Sequence, residues 1–345
     1  MTAEKSALQR IGVVAIARNE GDRLKQCLSS IPDSVARIVY VDSGSDDGSV
    51  AWAREQGIDV VELDTSQGFT AARARNAGIR RLLACVPEVE CVQVVDGDCE
   101  IDATWLSTAL EALDADERRA VVCGRRRERF PEATIFNRLC DMEWNTPIGE
   151  ARACGGDALI RIDAWRDVGG LDETLIAGEE PEFCLRLRRA GWSIQRVDAE
   201  MTLHDADMHR LTQWWRRNKR SGHAYAEWNH RYGADAERFG TRDVRSIIEW
   251  TIVLPALAIG LAWLTWGVSL LLLGGYIMLY RRIRAHRINH GDEASHASLY
   301  ARYCVLGKFP QCLGILTYWF NQAWGRRSTL IEYKSSPAVV REAGT

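Results

Sequence analysis

Short apolar runs alternate with helix-forming segments through the first hundred residues, and this alternation narrows the fold of the chain more than any other feature. The runs are Ile11 to Ala17, Val35 to Val41, Ile58 to Leu63 and Cys91 to Val95. Helices are predicted between them over Asp22 to Ser30, Val50 to Gln56 and Phe69 to Leu83. Strand, helix, strand in this order argues for an α/β fold: a mostly parallel sheet with helices on both faces. Ligands of such sheets bind beyond the carboxyl ends of the strands, where the loops converge.

With 345 residues, 46% hydrophobic and 26% charged, the chain can bury a full α/β core and still have material for a second region. A net charge of −3 gives no reason to expect a nucleic-acid partner. Ten cysteines, from Cys27 to Cys312, include no CxxC pair. They read as structural thiols in a reducing compartment. The first ten residues carry charge and no apolar core, so no secretory signal is expected and the catalytic part is placed in the cytoplasm.

The strands end in polar loops: Arg18-Asn19-Glu20, Asp42-Ser43-Gly44-Ser45-Asp46-Asp47 and Asp96-Gly97-Asp98. Neither GxGxxG nor GxxxxGK[ST] occurs, which argues against a Rossmann dinucleotide site and a P-loop. Asp96 and Asp98, one residue apart at a strand end, repel each other unless a cation sits nearby. Oxygen ligands of this kind suit Mg²⁺ or Mn²⁺, which take the rest of their shell from water and substrate phosphates. A solvated acidic turn is the alternative for this motif taken alone.

The ordered segments IGVVAIARNEGDRLKQCLSSI, VYVDSGSDDGS, GFTAARARNAGI, VQVVDGDCEID and CGGDALIRIDAWRDVGGLDETLIAGEEPEFCLRLRRAGW together resemble the family 2 glycosyltransferases, over roughly residues 10 to 230. The resemblance implies the nucleotide-sugar-binding GT-A fold. It places Asp42 at the nucleobase, with Ala17, Arg18 and Glu20 in the adjoining loop, and Arg75 near the nucleotide. Asp96 and Asp98 match the DxD pair around Gly97, with Asp98 on the metal and Asp96 at the ribose or metal. Glu180 falls at the position of the catalytic base, but the pattern here is Glu179-Glu180-Pro181-Glu182, so the three glutamates remain open. Pro181 suits the first turn of a helix running to Arg189 and stopping at Gly191. A base there needs burial or neighbouring carboxylates to raise its pKa against the helix dipole. His204, after a short strand predicted over Ile194 to Val197, is the candidate third metal ligand, with a structural histidine as the alternative. No QxxRW motif follows; Gln213-Trp214-Trp215-Arg216-Arg217 stands in that place, which argues against a long-chain polysaccharide synthase.

From Thr251 to Tyr280 there is no charged residue. One helix of that length would span about 45 Å, more than the ~30 Å hydrocarbon layer. Either one tilted helix crosses a bilayer or Thr265-Trp266-Gly267 turns the run into a hairpin. Basic residues on both sides, Arg242 and Arg245 before and Arg281, Arg282, Arg284 and Arg287 after, favour the hairpin with both flanks in the cytoplasm. Cys304 to Trp324 reads as an interfacial or short membrane segment.

The expected organisation is a catalytic domain over residues 1–240, membrane-associated helices over 241–330 and a tail over 331–345. The expected function is metal-dependent, inverting transfer of a sugar from a nucleotide-diphosphate sugar to an acceptor hydroxyl, at the cytoplasmic face of the inner membrane. The acceptor is expected to be a saccharide or a lipid-linked saccharide of surface polysaccharide or glycolipid assembly. Residues 130–157, with Trp144 and Gly155-Gly156, are expected to carry acceptor contacts. A sugar nucleotidyltransferase and a non-catalytic scaffold of the same fold are the competing readings.

Overall fold

The computed structural model describes residues 7–326, which fall into two compact units; the tail predicted over 331–345 lies outside the described residues. The first unit, built on residues up to 133 and 143–207, holds a nine-stranded sheet. Its strands are β1 (Ile11–Ala17), β2 (Arg37–Asp42), β3 (Asp59–Glu62), β4 (Cys91–Asp96), β5 (Cys99–Ile101), β6 (Arg119–Glu128), β7 (Gly149–Glu150), β8 (Ala158–Arg161) and β9 (Ser193–His204). Its main helices are α1 (Asp22–Ser29), α2 (Ser49–Glu55), α3 (Ala71–Cys85), α4 (Trp105–Asp114), α6 (Ile162–Asp167) and α7 (Glu179–Arg189).

The strand order is β3-β2-β1-β4-β8-β6-β9-β5, with β7 paired to β9. β3, β2, β1 and β4 run parallel, β8 is antiparallel to its neighbours, and β6 pairs parallel with β9. The chain runs out from β1 to β2 and β3, then returns to place β4 on the other side of β1. A sheet that reverses its direction of build in this way opens a crevice at the carboxyl ends of the strands on either side of the reversal. Register lines the expected site residues along that edge: Ala17 lies opposite Asp42, and Ile16 opposite Asp96.

β1 and β4 are buried along nearly their whole length, as a central strand covered on both faces requires. β5 to β8 were not expected from the sequence, and the expected strand over 194–197 is the start of a twelve-residue one, β9, that ends at His204. β6 ends in Arg125-Arg126-Arg127-Glu128, a charged run that hides a strand from hydropathy. Two of its charges meet partners that the fold brings up, Arg127 the exposed Glu200 on β9 at 2.5 Å and Arg126 the buried Asp157 just before β8 at 2.8 Å.

The second unit comprises residues 134–142 and 208–326 of the described chain. It contains most of α5 (Ile135–Trp144), then α8 (Leu211–Tyr232), α9 (Thr241–Ile248), α10 (Leu254–Gly260), α11 (Gly275–Asn289) and α12 (Ala294–Ala323). The structural division therefore comes after Asp207 rather than at residue 240. The physical reason is the fit of α8 on α12: a Cβ on Gly222 would strike the Gln311 carbonyl, and one on Gly314 the Lys219 carbonyl. Two backbones this close exclude any side chain between them. Phe136, Trp214 and Tyr303 add an aromatic cluster, with Tyr303 edge-on to both other rings.

The uncharged run over 251–280 folds back on itself. α9 passes through a π turn into α10, the chain reverses at Trp266 (φ 52°) and Gly267 (φ 84°), and a 3₁₀ segment, Val268–Gly274, returns to α11. The arms are tied where Ser269 Oγ donates to the Ala258 carbonyl at 2.7 Å. The single tilted helix is thus ruled out, because a left-handed pair of residues interrupts it. Among the described residues no helix is long and apolar enough to cross a membrane. Of Cys304 to Trp324 all but the capping Trp324 belongs to α12, which continues through Pro310 and anchors Lys308 on Ser246 Oγ at 3.0 Å.

Candidate active site

The loops after β1 and β2 are knitted together by their own polar groups. Ser45 Oγ accepts from the Asn19 N–H, Asn19 Oδ1 accepts from the Asp46 N–H, and Asp47 Oδ2 accepts from the Gly21 N–H, all at 2.8–2.9 Å. Asp42 is buried; one oxygen accepts from the Tyr40 hydroxyl at 2.6 Å, the other from the Gly44 and Ser45 N–H groups at 2.9 Å. Its carboxylate thus shapes the loop from within. Arg18 stands at the rim with its guanidinium 4.5 Å from the Phe69 ring, and Glu20 pairs with Arg23 at 2.7 Å. Ala17 ends β1 beneath them.

Gly97 is required by space. A Cβ there would sit 2.5 Å from the Ala17 Cβ, and its N–H donates to the Ile16 carbonyl at 2.9 Å. The tight approach lays the Asp96-Gly97-Asp98 turn directly on the end of β1. On the two sides of this glycine the aspartates meet different neighbours. Asp96 Oδ1 accepts from Arg75 Nη2 at 2.8 Å, and Arg126 Nη2 lies 3.5 Å from its other oxygen. Asp157, fully buried on the segment before β8, accepts from the Asp96 N–H, the Thr202 hydroxyl and Arg126. The repulsion expected between the paired aspartates is therefore relieved at Asp96 by two guanidinium groups.

Arg75 also reaches across to α7. Its Nη1 donates to Glu179 Oε1 at 3.1 Å and to Glu180 Oε1 at 2.8 Å. Gly178, at φ 76°, starts α7 so that these two glutamates face Arg75. Glu182 is held elsewhere: both of its oxygens accept from Arg186 at 2.8 Å. Burial first, then the negative charge of Glu179, pushes Glu180 up to about 7, with Arg75 working in the opposite direction. Desolvation and like charge thus outweigh both the guanidinium and the helix dipole.

Asp98 and His204 form the other half of the site. His204, at the end of β9, places Nε2 3.3 Å from Asp98 Oδ2, and Nδ1 3.8 Å from Glu128 Oε2. Cys99 Sγ lies 3.7 Å from Asp98 Oδ1, and one ligand atom from each of Asp98, Cys99 and His204 lies within 4.8 Å of the others. Burial pushes the Cys99 thiol up, and its sulfur is a soft donor of the kind that Mg²⁺ and Mn²⁺ do not favour. One carboxylate and one imidazole remain, a donor pair that fits Mg²⁺ or Mn²⁺ with the other positions left to water and phosphate oxygens. Asp96 is not part of this trio. Trp144 packs edge-on against His204 with 4.6 Å between ring centroids, and Arg126 lies 5.5 Å from the Trp144 ring.

The structure so brings Arg75, Asp96, Glu179 and Glu180 together, and separately Asp98 and His204. Arg126, Asp157 and Glu128 were missed in the sequence. Asp157 stands in the CGGDALIR segment that carried part of the resemblance, and that was the signal available for it.

Residues 12–164 match the family model described as glycosyl transferase family 2. The glycosyltransferase AglE of Haloferax volcanii is 24% identical over 216 residues, 58% of this chain and 68% of that protein. The succinoglycan biosynthesis protein ExoA of Rhizobium meliloti is 23% identical over 205 residues, 54% of this chain and 60% of its own length. Among solved structures, the mannosyltransferase PcManGT from Pyrobaculum calidifontis, determined with GDP-Man and Mn²⁺, superposes with a TM-score of 0.60 at 18% identity. That likeness covers 91% of this chain and 88% of the other, and it establishes a shared fold.

Proposed function

We propose, starting from a chain that is a glycosyltransferase of family 2, that it moves a sugar from a nucleotide-diphosphate donor to an acceptor hydroxyl with inversion at the anomeric carbon. The observation that carries the reading is the pairing of a carboxyl raised to about 7, Glu180, with Arg75 and Asp96 at the carboxyl edge of the sheet. A base poised near neutrality can take the proton of an attacking hydroxyl. Attack on the face opposite the leaving nucleotide then gives inversion in one displacement. Arg75 holds Glu180 and Asp96 in fixed relation, and Trp144 supplies an apolar wall beside His204 against which a sugar ring can stack. Asp98 and His204 would hold the divalent ion. When bound, that ion supplies positive charge to the departing diphosphate.

The acceptor in this reading is a saccharide or lipid-linked saccharide, and the enzyme works at the cytoplasmic face of a membrane. Support comes from the reversed hairpin, where Trp263 is 90% exposed and Trp266 94% exposed, with Leu264, Val268 and Leu271 also exposed. Apolar surface of this extent marks an interaction site. Arg242, Arg245, Arg281 and Arg282 stand exposed at the two ends of the uncharged run, where anionic headgroups would meet them. In this reading the occupant of the surface is a lipid bilayer, entered from one side.

The test is the nucleotide product. Incubation with a panel of nucleotide sugars, Mn²⁺ and lipid-linked acceptors should release a nucleoside diphosphate. Pyrophosphate from a nucleoside triphosphate would overturn the reading in favour of a nucleotidyltransferase.

A further inference from the structure

Cys154 and Cys184 place their sulfurs 3.6 Å apart. Cys184 is buried on α7, one helical turn beyond Glu180, whereas Cys154 is partly exposed on the irregular segment before β8. That segment continues into Gly155, which faces open space, and Gly156, where a Cβ would sit 2.6 Å from Asp96 Oδ2 and 2.8 Å from Arg75 Nη2. Asp157, next along, holds the Asp96 N–H. Arg188 of α7 donates to the Arg152 carbonyl, so helix and segment also touch two residues before the sulfur contact.

We propose that Cys154 and Cys184 are a site of reversible oxidation, and that the disulfide draws the 151–157 segment onto α7 and slows sugar transfer. The inference rests on the reading of Glu180, Arg75 and Asp96 as the reacting site. A disulfide bond is about 2.05 Å long, so the sulfurs must close by roughly 1.5 Å. The side free to move is the segment, because α7 is fixed in the core by Phe183, Leu185 and Leu187. Its displacement is passed along two residues to Gly156 and three to Asp157, against the carboxylate and guanidinium groups that must keep their geometry. A misplacement on the order of 1 Å in such a constellation costs up to about 100-fold in rate.

Among the cysteines the pair has the right chemistry. The Cys154 thiol, the Cys154 N–H and the charge of Arg188 hold Cys184 below the ordinary thiol range, while the same hydrogen bond to Cys184, with burial, pushes the Cys154 thiol up, so one sulfur of the touching pair is the thiolate and the other its proton donor. With hydrogen peroxide as oxidant, the sulfur of Cys154, the less buried of the two residues, takes one oxygen as a sulfenic acid and the second oxygen leaves as water. The Cys184 thiolate then attacks that sulfur and expels the hydroxyl as water. Two thiols and one peroxide thus give one disulfide and two waters.

The experiment treats the full-length reduced protein with hydrogen peroxide, alkylates the remaining thiols and maps peptides by mass. A linked Cys154–Cys184 peptide is expected, with nucleoside diphosphate release slowed at least ~10-fold and restored by dithiothreitol. Cys154→Ser should keep its rate in peroxide, and Cys184→Ser likewise; if the buried substitution fails to fold, Cys154→Ser alone decides. No linked peptide, a linked peptide with an unchanged rate, or equal inhibition of Cys154→Ser would each overturn the proposal. A reduced enzyme that releases no nucleoside diphosphate from any donor would instead overturn the transferase reading, and the peptide map would still decide whether the thiols join.

Discussion

Arg75 and Glu180 form a contact of 2.8 Å between residues 105 positions apart, and the same guanidinium holds Asp96 at 2.8 Å through its other nitrogen. Both terminal nitrogens of the arginine are engaged, so Glu180 is positioned yet remains hard to ionise because burial and Glu179 dominate its environment. If it acts as the base, only its ionised form is active. The transfer rate should rise with pH and level off above an apparent pKa near 7. Glu180→Gln should lower kcat by about 10²–10⁴-fold and remove that pH dependence, with donor binding little changed. Glu182→Gln, which cuts the Arg186 pair, should act on thermal stability and leave the shape of the pH profile intact. Steady-state rates across pH 5.5 to 8.5 check both.

Stability gives an independent view of the same carboxyl. Its pKa in the folded protein, about 7, exceeds the ordinary value of 4.5, so between these two values the native state binds more protons than the unfolded chain. Stability contributed by Glu180 is therefore present below pH 4.5 and is lost as pH rises toward 7. Glu180→Gln, neutral at every pH, should melt above wild type at pH 8 by on the order of 2–4 °C and match it near pH 5. Differential scanning calorimetry at the two pH values makes the comparison. A variant that destabilises equally at both would mean that the carboxyl is ionised throughout.

How much of this was legible in the sequence follows from what each interaction depends on. β1, β2 and β4 announced themselves because a strand covered on both faces needs an unbroken apolar run, and their loops stood out by contrast. β6 did not, because Arg125, Arg126 and Arg127 are polar in composition and find their partners only in the folded sheet. Arg126 meets Asp157 thirty-one positions away, and no local pattern encodes that pair. Glu179, Glu180 and Glu182 look alike in sequence. They separate only when Gly178 sets the start of α7, which directs two toward Arg75 and leaves the third to Arg186. Gly97 lies in a turn between β4 and β5, and what forbids a side chain there, the close approach to Ala17, is a contact no local pattern encodes.

The split between the two aspartates predicts different defects. Asp98 shares a cluster with His204, so Asp98→Asn should weaken metal-dependent donor binding by at least ~10-fold, and His204→Ala should do the same to a smaller degree. Asp96→Asn leaves the metal cluster in place but frees Arg75 and Arg126, so its loss should fall on kcat more than on the metal requirement. Thermal-shift titrations of nucleotide sugars with and without Mn²⁺ separate these outcomes, since a ligand that binds the native state raises the melting temperature in proportion to the logarithm of its concentration over Kd. Identical titrations for the three variants would sink the assignment of Asp98 as the metal-side residue.

The hairpin sets a limit on how the second unit can meet a bilayer. From Trp250 to Leu264 the outward arm is about 15 residues, roughly 22 Å at 1.5 Å per residue, which is deeper than one leaflet but short of the ~30 Å hydrocarbon core. The chain reverses there, so both basic ends stay on the same side. Trp263 and Trp266, each with roughly 150–250 Å² to bury, would carry much of the binding. Trp263→Ser with Trp266→Ser should weaken binding to vesicles containing phosphatidylglycerol at least ~100-fold, whereas Arg281→Ala with Arg282→Ala should lose mainly the preference for anionic over zwitterionic vesicles. Sedimentation with the two vesicle types measures both effects. Quenching of the wild-type indoles by lipids labelled at known depths should locate them within the hydrocarbon. Indoles that remain quenched only by aqueous iodide would show that the hairpin faces a protein or solvent instead.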